Sequence, residues 1–140
     1  MPNKEEIESL PKSKWPRGLS EINDSPKNFY IKGGLPSLDS VWLCVVGSRK
    51  FTNYGKSACE TLIEGLQGQD VVIVSGLALG IDSIAHQKAL EVGLKTVAVP
   101  GSGLSEKVLT DFRSSKSNSR QLSSLSLIGK SIEGSLGYSL

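Results

Sequence analysis

Val71-Val72-Ile73-Val74-Ser75-Gly76-Leu77-Ala78-Leu79-Gly80-Ile81-Asp82-Ser83-Ile84-Ala85-His86 is the stretch on which the reading of the fold turns. Four consecutive apolar residues run into a loop of small residues. Beyond it Ile81, Ile84/Ala85, Ala89 and Val92 recur at intervals of three and four, and Gly93 stands where a helix would stop. The stretch reads as strand, tight turn, helix. To its N-terminal side lies a second continuous run, Val41-Trp42-Leu43-Cys44-Val45-Val46. A helical pattern over 55–67 follows it, carried by Ala58/Cys59, Leu62/Ile63 and Leu66, with Gly68 at the C-cap position. To its C-terminal side Thr96-Val97-Ala98-Val99 is a third run. Continuous rather than alternating apolarity is what a strand shows when helices cover both faces of its sheet. The expected fold is therefore α/β: a βαβαβ core, right-handed in its crossovers, with a mostly parallel sheet in a three-layer αβα arrangement.

The whole chain has 140 residues, enough for one domain with a tail and for burial of roughly two-thirds of the unfolded surface. An apolar share of 38% and a charged share of 21% belong to a soluble globular protein. No apolar run approaches the ~18–20 residues of a membrane span, and the charged first ten residues lack the apolar core of a signal peptide. Both points argue against secretion and against membrane insertion. Cys44 and Cys59 do not make a disulfide framework, and with a single histidine they do not make a zinc site. The net charge is +2, but residues 1–40 and 41–109 each balance six basic against six acidic side chains. The excess lies wholly in residues 110–140, so any anion site must be a local feature rather than a property of bulk charge.

Composition divides the chain into three. Residues 1–37 carry all but one of the prolines and read as an irregular lead-in, with a short turn of helix over 4–10 and a short edge strand over 28–32. Residues 38–109 hold the βαβαβ pattern. Residues 110–140 contain 10 serines in 31 positions, against 6 in 69 over 41–109. Leu122, Leu125, Ile128 (or Leu127), Ile132 and Leu136 fall near helical spacing there, but the serines and Gly129, Gly134 and Gly137 oppose a helix, and little stable structure is expected.

An open parallel sheet presents ligands at the C-terminal ends of its strands. The three loops there are rich in glycine: Val46-Gly47-Ser48-Arg49-Lys50, Ser75-Gly76-Leu77-Ala78-Leu79-Gly80 and Pro100-Gly101-Ser102-Gly103. Small residues admit a ligand to the backbone, and free amides at helix starts attract anions. With Arg49 and Lys50 on the first loop, the pattern describes a phosphate site; the plainer reading is that tight strand-to-helix turns need glycine in any case. Neither Gly-x-Gly-x-x-Gly nor Gly-x-x-x-x-Gly-Lys-Ser/Thr is intact, so no dinucleotide or other cofactor is expected. Asp82 and His86 stand one turn apart and form a candidate acid–base pair, with Ser75 or Ser48 as nucleophile. The favoured alternative makes Asp82 a carboxylate that caps the loop and meets the helix dipole, with His86 packed on the helix flank. Trp15 and Trp42 are candidates for base stacking, against a plainer reading of Trp42 as core and Trp15 as a surface anchor. Lys56 and Lys88 read as solvated helix positions.

Taken together, Val45-Val46-Gly47-Ser48-Arg49-Lys50 with Tyr54-Gly55, Ile73 to His86, and Val97-Ala98-Val99-Pro100-Gly101-Ser102-Gly103-Leu104 resemble the DNA-processing protein A (DprA/Smf) family. Trp15-Pro16, Asp24-x-Pro26 and Phe29-Tyr30-Ile31-Lys32-Gly33 follow in that family's order, so the likeness spans roughly residues 10–109. It implies a cytoplasmic, non-catalytic protein with a Rossmann-like domain, usually dimeric, that binds single-stranded DNA and helps load the RecA recombinase in natural transformation. Arg49 matches the arginine of the family's Gly-Ser-Arg pocket. The pocket is then expected at Gly47, Ser48, Arg49 and Lys50, with Ser75, Gly76, Leu77 and Gly80 beside them and Gly101, Ser102, Gly103 and Lys107 completing it. Amides plus a guanidinium grip phosphates without reading sequence.

After Leu109 the motifs cease where the serines begin, which is the expectation for a truncated or out-of-frame segment lacking further strands and the dimer surface. Two other classes of function stand beside the leading one. The first is a nucleotide-processing phosphoribohydrolase, whose Pro-Gly-Gly-x-Gly-Thr segment Pro100-Gly101-Ser102-Gly103-Leu104-Ser105 imitates only in part. The second is a non-functional fragment.

Overall fold

The computed structural model describes residues 6–101, 104 and 125–129. The three apolar runs form parallel strands, β3 (Val41–Cys44), β4 (Val71–Ser75) and β5 (Lys95–Ala98), with Val41 beside Val71 and Val72 beside Lys95. Helix α1 (Asn53–Glu64) links the first pair and α2 (Ile81–Glu91) the second. The hydroxyl of Thr52 accepts the Gly55 amide at 3.0 Å and so starts α1 two residues earlier than the apolar spacing alone indicates. Two short strands of the lead-in, β1 (Ile7–Ser9) and β2 (Tyr30–Lys32), and a late strand, β6 (Leu125–Gly129), complete one six-stranded sheet of order β1-β2-β6-β5-β4-β3. β6 runs parallel to β5, while β2 and β1 are antiparallel additions beyond it. The sheet is therefore mostly parallel and the architecture Rossmann-like α/β.

Both faces of the sheet are covered, but differently from the expectation of helices on each. Cys59 and Ile63 of α1 and Ile84, Ala85 and Ala89 of α2 pack with Ile73 on one face. Chain progress from β3 to β4 to β5 is always in the same direction, and right-handed crossovers that step one way leave their helices on one side. The opposite face, made by Val72, Val97, Ile128 and Ile31, is covered by the lead-in through Leu10, Trp15 and Phe29. Trp15 is buried there rather than anchored at the surface. Its Nε1 donates to the Leu10 carbonyl at 2.8 Å, and its ring lies 5.6 Å from that of Phe29, tilted by 54°.

Three local expectations change with the sheet. Residues 7–9 are strand rather than helical turn, because pairing with β2 satisfies their backbone. The strand expected over 28–32 is not an edge, since β1 and β6 flank it. Residues 125–129, expected to lack stable structure, form a fully buried strand in the interior of the sheet. Leu125 and Leu127 pack with Leu90 and Ala98 on the helical side, Ile128 packs with the lead-in, and Ser126 Oγ donates to the Gly34 carbonyl. A period of two was hidden in that segment beneath a coincidental spacing of three; the other residues of that pattern lie outside the described part of the chain.

The remaining edge is β3, and no strand lies beyond it among the described residues. Val41, Leu43 and Val46 are exposed there, as is Leu62 on α1, and together with Cys44, Ile63 and Leu66 the last three line an apolar groove of about 530 Å³. An unbroken apolar run thus marked a strand correctly, while one side of that strand stays open.

Replacing Trp15 with alanine is expected to lower stability by about 3–5 kcal/mol, the usual loss for a large buried aromatic. Guanidinium unfolding followed by far-ultraviolet circular dichroism measures it; a loss below about 1 kcal/mol would show that the lead-in does not fold with the sheet.

Candidate functional site

The loop over 45–52 leaves the end of β3 and the loop over 76–80 leaves the end of β4, and the two meet backbone to backbone. Gly80 has φ +89°, and a Cβ on it would lie 2.3 Å from the Ser48 carbonyl oxygen and 2.6 Å from Arg49 Cα. Only glycine permits that approach. The Ile81 amide donates to the same Ser48 carbonyl at 3.1 Å. A Cβ on Gly47 would sit 2.6 Å from the Ile81 side chain, and one on Gly76 2.8 Å from Asp82 Oδ2. These glycines serve packing between loops and helix, so the plainer reading of them holds at positions 47, 76 and 80.

Asp82 joins the two loops. It is buried in the first turn of α2, where Oδ1 accepts the Gly47 amide at 3.2 Å and Oδ2 accepts the Gly76 amide at 3.1 Å. The helix dipole favours a carboxylate at that end. Ser75 Oγ donates to the Val45 carbonyl at 2.5 Å, a second tie between the loops. Leu77 follows with φ +62°, a left-handed conformation uncommon for a side chain of its size, and its amide donates to His86 Nε2 at 3.3 Å. His86 Nδ1 lies 2.7 Å from Thr96 Oγ1, whose own proton goes to the Ile73 carbonyl at 2.8 Å. With that hydroxyl proton committed and Nε2 accepting, the ring proton belongs on Nδ1. Burial holds the imidazole neutral by lowering its pKa to about 4, against the pull of the Asp82 charge.

This arrangement removes the acid–base reading. Both oxygens of Asp82 serve backbone amides, His86 is fully buried against Thr96, and the Ser75 hydroxyl is engaged. The amides of Gly47, Gly76, Leu77 and Ile81 all have internal partners, so they are not free to hold a ligand. The loop also presents side-chain charge outward. Ser48 Oγ accepts the Lys50 amide at 3.2 Å in a local turn, and Arg49 and Lys50 project from it, exposed and without an ion pair among the described residues.

Of the expected pocket, Gly47, Ser48, Arg49 and Lys50 are exposed, Gly76, Leu77 and Gly80 half-buried, and Ser75 buried. The Val99 amide donates to the Ser75 carbonyl at 2.8 Å, which brings the third loop alongside with Gly101 exposed. Ser102, Gly103 and Lys107 lie outside the described residues. Lys88 is not a solvated position: its ammonium is 2.7 Å from Glu64, 3.2 Å from Glu91 and 3.7 Å from Glu60, and those carboxylates, Glu64 foremost, raise its pKa. The tryptophans serve packing: Trp15 is buried, and the half-buried Trp42 packs against the lead-in cluster and donates to the Ser37 carbonyl at 3.0 Å. The exposed aromatic side chains beside the cations are Phe51 and Tyr54; motif reading quoted Tyr54 with Gly55 but passed over Phe51, which immediately follows Arg49-Lys50.

Removing the Asp82 carboxylate in D82A is expected to lower stability by about 2–4 kcal/mol, since it leaves two loop amides unpaired. Urea unfolding checks the magnitude, and faster exchange of the Gly47 and Gly76 amides checks the cause. For His86, the unfolded chain binds a proton below the ordinary value of 6.5 that the folded chain refuses until about 4. Its contribution is thus complete above pH 6.5 and is lost as pH falls toward 4, by up to about 3 kcal/mol. The slope of stability against pH in that window is expected to flatten in H86N, and an unchanged slope would show that another group sets it.

Residues 7–126 match the family model of DNA recombination-mediator protein A, past the point at residue 109 where the recognisable motifs stop. DNA processing protein DprA from Streptococcus pneumoniae is 48% identical over 90 residues, which cover 64% of this chain and 32% of that protein. The X-ray structure of the S. pneumoniae protein superposes with a TM-score of 0.72 at 34% identity, over 98% of this chain and 47% of that one. DNA processing protein A from Helicobacter pylori, in a structure that gives insight into its single-stranded DNA binding mode, superposes with a TM-score of 0.73 at 26% identity, over 92% of this chain and 57% of that one. The chain thus spans about a third of the curated relative's length and about half of each solved chain. With 7–126 matched, and with its strand-to-helix loops gathered at one sheet edge, the chain belongs to the DNA recombination-mediator protein A family.

Proposed function

We propose that this chain binds single-stranded DNA through its phosphate backbone, as a non-catalytic mediator that presents the strand to the RecA recombinase in the cytoplasm during natural transformation. The observation that carries the reading is the pair Arg49 and Lys50, exposed on a loop whose backbone is held from below by Asp82 and Gly80. A preset loop spends little ordering entropy on contact, and a guanidinium with an ammonium attracts phosphates whatever the base sequence. Membership of a recombination-mediator family and the likeness to the H. pylori protein support the same ligand. Gly47 and Ser48 shape the cationic turn, Ser75, Gly76, Leu77 and Gly80 support it, and Gly101, Ser102, Gly103 and Lys107 are proposed to extend it. Two cations bind a strand weakly, so a homodimer that presents the loop twice is the form expected to act. No helix among the described residues is long and apolar enough to cross a membrane.

Fluorescence anisotropy of a labelled single-stranded oligonucleotide tests the proposal, with duplex and nucleoside monophosphate as competitors. Arg49→Ala is expected to weaken binding about tenfold and to reduce the salt slope by about 0.7 per lost phosphate contact, with circular dichroism unchanged. Equal affinity of a folded Arg49→Ala variant would remove the assignment. Displacement by monophosphate alone would favour the nucleotide-processing class instead.

A further inference from the structure

Next to the Arg49-Lys50 loop, α1 and α2 enclose a groove of about 430 Å³, within the ~300–1,000 Å³ range of small-ligand sites. Phe51 and Leu79 line it and are 45% and 76% exposed, which is unusual company for two cations. Ser83 and Gln87 of α2 supply its polar groups. We infer that this groove is a nucleobase subsite, in which a strand whose phosphate rests on Arg49 turns one base inward against the Phe51 ring. The inference rests on the reading of the loop as a single-strand phosphate site.

Continuity is the first support. Phe51 is two residues from Arg49, and Gly80, in the groove wall, lies directly against the Arg49 backbone. The groove therefore starts where the cationic turn ends. Charge supports the same orientation. Lys56 approaches Glu60 at 3.9 Å, and Lys88 is shared by Glu60, Glu64 and Glu91, so the cations in the groove are already neutralised. A phosphate inside would face Glu60 and Glu91, whereas a neutral ring meets no such penalty. The phosphate belongs outside on Arg49 and the base within. The polar groups suit a base edge: Ser83 Oγ donates to the Ala78 carbonyl at 2.9 Å and keeps lone pairs for a ring N–H or an exocyclic amine, and the Gln87 amide can donate and accept. The 2.7 Å contact between Lys88 on α2 and Glu64 on α1 ties the two walls together.

An oligothymidylate and an abasic strand of equal length, titrated against the wild-type chain and its variants, test the subsite. Phe51→Ala is expected to weaken the base-bearing strand about tenfold and to leave the abasic strand unchanged, because stacking needs a base and the phosphates do not. Arg49→Ala is expected to weaken both. Leu79→Ser, at a largely exposed position, is expected to behave as Phe51→Ala does, and Phe51→Trp to keep affinity while the base-bearing strand alone quenches the added emission. Equal loss of both strands on Phe51→Ala, no loss of either, or absence of quenching would overturn the subsite and leave the phosphate site standing. Binding of neither strand by the wild-type chain, or an Arg49→Ala variant equal to wild type on both, would overturn the reading beneath it.

Discussion

One buried carboxylate accepts an amide from each of two successive strand-to-helix loops, and the geometry of this protein's loop edge follows from that. Asp82 reaches Gly47 and Gly76 at once only because glycine at 47, 76 and 80 lets the loops and α2 approach within distances that a Cβ would block. A charged group in such a place is tolerated because both oxygens are hydrogen-bonded and the α2 N-terminus supplies favourable potential. Ser75, donating to Val45, and Ile81, donating to Ser48, repeat the same tie in neutral form. The loop that carries Arg49 is thus positioned by interactions made behind it, which leaves its cations free of structural duty.

The second helix divides its polar residues between support and charge balance. His86, buried and neutral, passes a directed chain of hydrogen bonds from the Leu77 amide through Thr96 to the Ile73 carbonyl, so the strained Leu77 backbone is secured to the floor of the sheet. Lys88, on the side of α2 that faces α1, gathers three carboxylates, and even with Lys56 the space between the helices keeps a net negative charge. Arg49 and Lys50, by contrast, have no ion-pair partner among the described residues. On the proposed reading, the fixed backbone beneath and the cations above serve to hold an extended polyanion.

The sheet shows a similar division between local and distant causes. Its parallel core over β3, β4 and β5 arises from adjacent segments, but the far side depends on pairing of β6 with both β5 and β2, segments far apart in the chain. The lead-in is ordered by pairing β1 and β2 onto the sheet and by covering Val72, Val97 and Ile128, and Trp15 is the largest side chain in that cover. At the opposite edge nothing among the described residues performs this service for β3, which stays apolar and open.

Sequence alone determined the βαβαβ core, the two helices and the edge of the sheet at which the glycine-rich loops gather, because apolar period and glycine placement are local properties. It also determined the family, since the Gly-Ser-Arg and Ser-Gly-Leu-Ala motifs survive in one short span. Tertiary structure alone decided which loop amides were free, since the partner of Gly47 lies 35 positions along the chain in Asp82. It decided that Trp15 is core and Phe51 exposed, because burial depends on which face of the sheet a segment crosses. It decided too that Leu125–Gly129 is a strand: Ser126 and Gly129 weaken any local preference, and only the unsatisfied edges of β5 and β2 supply the partners that make an extended backbone favourable there.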